Sequence, residues 1–161
     1  RVLKPILGYD YLWLNVRVKG GAYGVMNSAG RSGEGYFVSY RDPNLKETDQ
    51  VFEGVADYLE QFDADERDMT KYVIGTISDM DTPLLPPYKG AKAVSAWYSG
   101  ITDEMLAEER RQVLAAQPED IRALAKIIRA ILSTGSFCVV GNSEKIKENK
   151  ELFGSIKNLF N

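Results

Sequence analysis

Gly20-Gly21 is the point that most restricts what this chain can become. Before it, Ile6, Leu7, Tyr9, Leu12, Trp13 and Val16 recur at close to helical spacing, which predicts a helix to about Val18. After it, Ala22 to Ser28 and Gly35 to Arg41 read as strands on either side of Ala29-Gly30-Arg31-Ser32-Gly33, whose small residues suit a hairpin turn. In the second strand Phe37 and Ser39 face one way, and Tyr36, Val38 and Tyr40 the other. Two consecutive glycines end the helix. The helix must therefore hand over to a hairpin with almost no intervening loop.

Downstream the pattern is helical. Asp42-Pro43-Asn44 breaks the second strand, and Asn44 with Glu47 three residues later matches a capping box. The helix it would start runs to about Phe62, with Val51, Phe52, Val55, Tyr58, Leu59 and Phe62 on one face. Asp63 and Glu66 repeat the pattern ahead of a helix through Tyr72, Ile74 and Ile77. Thr82-Pro83-Leu84-Leu85-Pro86-Pro87 forbids continuation. Helical segments follow over about Tyr88 to Tyr98, from Thr102 to about Ala115, and from Pro118 through Leu132, with Thr102 and Pro118 marking starts. Gly135 ends the last of these; Phe137 to Val140 reads as a short buried strand, and Gly141-Asn142-Ser143 leads into a charged helix through Glu148 and a tail to Asn161. This order predicts an α+β domain of two layers, with helices packed on a small, mostly antiparallel sheet. Three strands make a thin sheet, which an N-terminal strand from upstream of Arg1 would complete.

Composition narrows the function. A chain of 161 residues suits a single domain. Its net charge of −3, with both signs interspersed, argues against a nucleic-acid partner, which would want a concentrated basic face. No apolar run reaches the length of a membrane span, so no membrane partner is expected. Cys138, the single cysteine, lies in Phe137-Cys138-Val139-Val140 and reads as a buried structural thiol, with no nearby cation to favour a thiolate. There is no histidine. Asp79, Asp81 and Asp103 lack the alternating spacing of a calcium loop, and Glu108-Glu109 reads as solvated helix surface, so no metal ligand is assigned. Gly20 to Gly24 lacks the flanking strand, helix and Lys-Ser/Thr ending of a phosphate loop. Trp97 and Tyr98 read as core. The chain has no initiator Met and no signal pattern before its first amphipathic stretch, as expected of a piece cut from a longer one.

Arg17 and Tyr23 stand on either side of the glycine pair. A guanidinium offers donors in a rigid fork and keeps its charge. A tyrosine hydroxyl can donate to a developing oxyanion, and glycines let another backbone approach closely. By residue type alone, an exposed arginine and a half-buried strand tyrosine beside a helix stop explain the pattern as well. No base or metal ligand set accompanies the pair, so it reads as half of a catalytic apparatus.

The wording of the stretch adds to this. Arg17-Val18-Lys19-Gly20-Gly21-Ala22-Tyr23-Gly24, after a helix bearing Tyr9-Asp10-Tyr11-Leu12-Trp13, resembles the pitrilysin and insulinase clan of zinc metallopeptidases, in particular its presequence-protease-like subfamily. Ser39-Tyr40-Arg41-Asp42-Pro43-Asn44-Leu45, Ile74 to Asp81 with the Pro-rich turn, Lys89-Gly90, Trp97 to Thr102, and Val139-Val140-Gly141-Asn142 are similar to that subfamily in the same order, covering about Tyr9 to Asn149. The resemblance implies the last of four related α+β domains that close in two halves around a peptide-sized chamber. In such enzymes zinc is bound by the first domain, through an inverted His-x-x-Glu-His motif, where it polarises the scissile carbonyl and activates water. The last domain reaches across with the arginine and tyrosine. Tyr23 and Arg17 then match the catalytic pair; Arg17, Gly20, Gly21 and Tyr23 match the substrate-binding residues. The implied partners are unstructured peptide substrates and the N-terminal catalytic half of the same polypeptide, and the piece alone would be inactive, without cofactor. A bacterial cytoplasm, or an organellar matrix, is the implied compartment. The alternatives are a domain of a metal-free structural or processing-partner subunit of the clan, and a free-standing peptide-binding module.

Overall fold

The first helix is wider than its sequence spacing suggests. In the computed structural model, which describes residues 1–31 and 33–159, α1 (Leu3–Pro5) runs directly into a π-helix (Ile6–Lys19). Ser32 of the expected turn, and Phe160 and Asn161 of the tail, lie outside the described residues. In a π-helix each N–H reaches back five residues, so a turn takes roughly four to five residues. On that pitch Ile6, Leu7, Leu12 and Val16 are buried, while Tyr9 and Trp13 turn outward at 73% and 43% exposure. The close-to-helical spacing of these six residues thus holds on a wider pitch, which leaves Tyr9 and Trp13 outside the buried face.

The glycine pair ends this helix, and β1 (Gly24–Ala29) and β2 (Gly35–Tyr40) pair antiparallel, Gly24 opposite Tyr40 and Ala29 opposite Gly35. Alternation works as expected. Val25 and Phe37 face the core, where Phe37 stacks on Phe52 at 5.6 Å between ring centres, and Tyr36 and Tyr40 face solvent.

The helix expected from Leu45 to Phe62 is two helices, α2 (Lys46–Glu53) and α3 (Val55–Glu60), parted at Gly54. The cause is Tyr11. Its hydroxyl donates to the Val51 carbonyl at 3.0 Å and sits where a Cβ on Gly54 would lie only 2.6 Å away. Next come α4 (Glu66–Met80), α5 (Pro86–Tyr98) and α6 (Asp103–Leu114). The chain continues with α7 (Pro118–Ala123), α8 (Ala125–Leu132), α9 (Ser143–Glu148) and a 3-10 turn (Lys150–Leu152). Thr102 caps α6 through the Met105 N–H, and Asn142 caps α9, as their types predict. α4 is capped by Asp65 rather than Asp63, because Asp65 takes the extended backbone that lets its carboxylate accept from the Asp68 N–H.

Helices cover the inner face of the hairpin, giving the expected α+β layering, although the sheet has two strands among the described residues. The core gathers Ile6, Leu7, Leu12, Val55, Leu59 and Ile121. Ion pairs fasten its edges. Arg129 bridges α8 to Asp57 and Glu60 of α3. The Arg110 fork holds Asp81 at 2.6 and 2.8 Å, keeping that carboxyl below the usual carboxylate range. Glu109 is not merely solvated; it pairs with Arg1 and Arg31.

Two expectations fail toward the C-terminus. Phe137 to Val140 forms no strand, because no described strand lies alongside to take its backbone hydrogen bonds, and Cys138 is therefore exposed rather than buried. Trp97 and Tyr98 are not core: they stack edge to face on each other at 75% and 78% exposure, on a helix packed against little else.

Under the π-helix, buried Tyr72 donates its hydroxyl to the Asp10 carboxylate. Burial first, and that carboxylate second, push the Tyr72 phenol above its ordinary value of 10.0. Burial raises the Tyr11 and Tyr58 phenols in the same way. A phenol raised by folding contributes stability that is full below pH 10 and lost as pH climbs beyond it. Tyr72→Phe is expected to cost about 2 kcal/mol at pH 8, since a hydrogen bond to a charged group is lost. It should also flatten the decline in urea midpoint above pH 10. An unchanged midpoint at pH 8 would remove the bond from the stability of the fold.

Candidate substrate-binding site

The helix-to-hairpin corner is built by backbone first. Gly20 closes the π-helix, its N–H donating to the Asn15 carbonyl at 3.1 Å. A Cβ there would meet the Val16 carbonyl oxygen at 2.5 Å, so only glycine fits. Gly21 then turns the chain at φ +79°, in the left-handed region.

A second strand end is latched to this turn. The Asn44 amide donates to the Gly20 carbonyl at 2.5 Å. Asp42 accepts from the Asn44 N–H at 2.9 Å and from the buried Thr48 hydroxyl at 2.8 Å. Asn44 is therefore not the helix cap its sequence suggests. Leu45 takes the N-cap position of α2 and offers no side-chain cap, while the Asn44 side chain is committed to the glycine turn.

On this frame the side chains converge. Arg17, in the last turn of the π-helix, lies with its guanidinium carbon 4.3 Å over the Trp13 ring and 6.0 Å from the Tyr23 ring. Such cation–π contacts fix a guanidinium without neutralising it. The Tyr23 ring packs edge to face on Tyr40 at 5.3 Å. Gly24 leaves room for that packing, since a Cβ on it would fall 2.2 Å from the Tyr40 ring. Tyr23 is 56% exposed, and among the described residues its hydroxyl has no hydrogen-bond partner. Arg17, Gly20, Gly21 and Tyr23 thus meet in one corner.

The corner holds a further cation that reading the sequence missed. Arg41 donates nothing from its backbone here, but its carbonyl accepts the Tyr23 N–H at 3.2 Å. Its guanidinium carbon stands 5.3 Å from the Tyr23 ring, and its φ is +48°, rare outside glycine. The signal was present: once the hairpin turn is placed, Gly24 pairs with Tyr40, and the next pair outward is Tyr23 with Arg41. The chain has no histidine, and among the described residues no three carboxylates or thiols gather.

The family model described as the PreP C-terminal domain matches residues 1–144. Protein HypA of Clostridium perfringens is 49% identical over 98% of this chain and 16% of its own length. Presequence protease 1, chloroplastic/mitochondrial, of Arabidopsis thaliana is 35% identical over 90% of this chain and 14% of its own. The mitochondrial presequence protease of Schizosaccharomyces pombe is 30% identical over 78% and 12%. The chain thus spans no more than 16% of the length of these relatives. With the family model covering most of its residues, this α+β chain belongs to the family of PreP C-terminal domains.

Proposed function

We propose that the chain is the substrate-facing last domain of a zinc-dependent oligopeptidase that degrades unstructured peptides in a closed chamber. The observation that carries this reading is the exposed Tyr23, its hydroxyl without a partner among the described residues, with the Arg17 guanidinium beside its ring on a frame of glycines. Tyr23 donates to the carbonyl oxygen of the bond being cut as negative charge gathers there. Arg17, held over Trp13, takes backbone or carboxylate oxygens of the peptide. Gly20 holds the turn against the helix end, and Gly21, whose Cβ side is open except for Pro43 at 3.8 Å, lets the substrate backbone come close. Among the described residues no donor set fits zinc; in this reading the metal belongs to the N-terminal half of the same polypeptide, and the 161 residues form one domain without activity of their own. A bacterial cytoplasm is the proposed compartment, with an organellar matrix the alternative; the relative at 49% identity is from Clostridium perfringens.

The full-length protein is expected to cleave an unstructured peptide, to lose that activity on chelation and to regain it with zinc. Measured by mass spectrometry of the products, intact peptide in every condition would instead assign the protein to the inactive, structural members of the clan.

A further inference from the structure

One backbone clamp and one oxyanion donor leave the second cation at Tyr23 without a purpose. The chain has nine arginines, of which six pair with carboxylates. Arg17, Arg41 and Arg67 make no ion pair among the described residues, and the first two lie 6.0 and 5.3 Å from the centre of a single tyrosine ring. Asp42, adjacent to Arg41, is bound to the Asn44 N–H and the Thr48 hydroxyl and bridges neither arginine. Arg41 also holds φ +48°, where asparagine or glycine would be at ease, and such strain gathers at ligand sites. Both guanidiniums lie within 6.0 Å of the Tyr23 ring centre, and each offers its fork to a planar anion in that corner.

We propose that Arg41 and Arg17 make the Tyr23 corner a carboxylate-recognition subsite, so that the peptidase prefers peptides bearing a carboxylate close to the bond it cuts. The proposal rests on the peptidase reading of Tyr23. The carboxylate belongs to a free C-terminus or to an acidic side chain; both present the same pair of oxygens to a guanidinium fork.

The test uses the full-length protein and four peptides of one sequence. Two end in a free acid or an amide, and two carry Glu or Gln beside the cleaved bond. The wild type should favour the carboxylate member of at least one pair by about tenfold in KM, an advantage that shrinks as salt rises. The pair that shows it identifies the source. Arg41→Asn suits the left-handed backbone and should cut that preference about fivefold, whereas Arg41→Lys, a cation without the fork, should keep part of it. No preference in the wild type, or one that Arg41→Asn leaves intact, overturns the subsite. So does a variant that shifts KM for all four peptides alike, as a purely structural arginine would. Tyr23→Phe separates the two ideas. A fall in its kcat with an intact Arg41→Asn preference sinks the subsite alone; unchanged kcat with a lost preference removes the oxyanion role and keeps the subsite.

Discussion

Tyr23→Phe in the full-length protein is expected to lower kcat/KM on unstructured peptides by about tenfold or more, the loss falling mainly on kcat. The substitution deletes one oxygen and keeps the ring. The packing on Tyr40 and the cation contacts with Arg17 and Arg41 all involve that ring and survive. The hydroxyl has no partner among the described residues to leave unsatisfied, so folding should not suffer. On the proposed role, what disappears is a donor to charge that develops only as the bond breaks, and loss of one such donor typically costs a hundredfold or so in a preorganised site. Tenfold allows for partial replacement by water at a corner this open. A kcat within twofold of wild type, from initial rates at saturating peptide, would withdraw the role (about 0.4 kcal/mol being too little for an oxyanion donor).

Gly20→Val should be worse, and for a different reason. The new Cβ would collide with the Val16 carbonyl at 2.5 Å and the Asn15 carbonyl at 3.2 Å, both main-chain atoms of the helix that carries Arg17. Neither can swing away as a side chain would. The helix end must open, which breaks the Gly20 N–H bond to Asn15 and pulls the Gly20 carbonyl off Asn44. We expect a loss of about 3 kcal/mol, at the upper end for overpacking, and peptidase activity reduced below that of Tyr23→Phe because Arg17 and Tyr23 lose their common frame. Thermal unfolding of the 161-residue chain followed by circular dichroism checks the first part. A melting temperature equal to wild type would mean that the helix end is looser than its hydrogen bonds imply.

Much of this corner could be read from the sequence, and the exceptions share a cause. The glycine stop, the hairpin, its facing pattern and the Thr102 cap are decided by residues within a few positions of one another. What escaped was decided at a distance. Asn44 looks like a cap until a glycine carbonyl twenty-four residues earlier claims its amide. The break at Gly54 depends on a tyrosine forty residues from the Val51 carbonyl it binds. Arg41 becomes part of the site only through strand register. Phe137 to Val140 has the composition of a strand, but a strand also needs a neighbour, and composition does not supply one. The pitch of Ile6–Lys19 misled in another way: on a tight turn Ile6, Tyr9, Leu12, Trp13 and Val16 line one stripe, and only the burial of Leu7 with the exposure of Tyr9 and Trp13 reveals the wider one.

That pitch has a bearing on how such a chain tolerates insertion and deletion. The direction in which Arg17 leaves the π-helix is accumulated over every turn since Ile6, each wider than an α-helical one. Dropping a single residue anywhere between Tyr9 and Asn15, or letting the segment tighten, would rotate the guanidinium away from the tyrosine while leaving the motif around the glycines intact letter for letter. Two chains can therefore share the whole Arg-to-Tyr wording and differ in whether the pair meets, so the length of the preceding helix is as much a signature of the site as the residues in it.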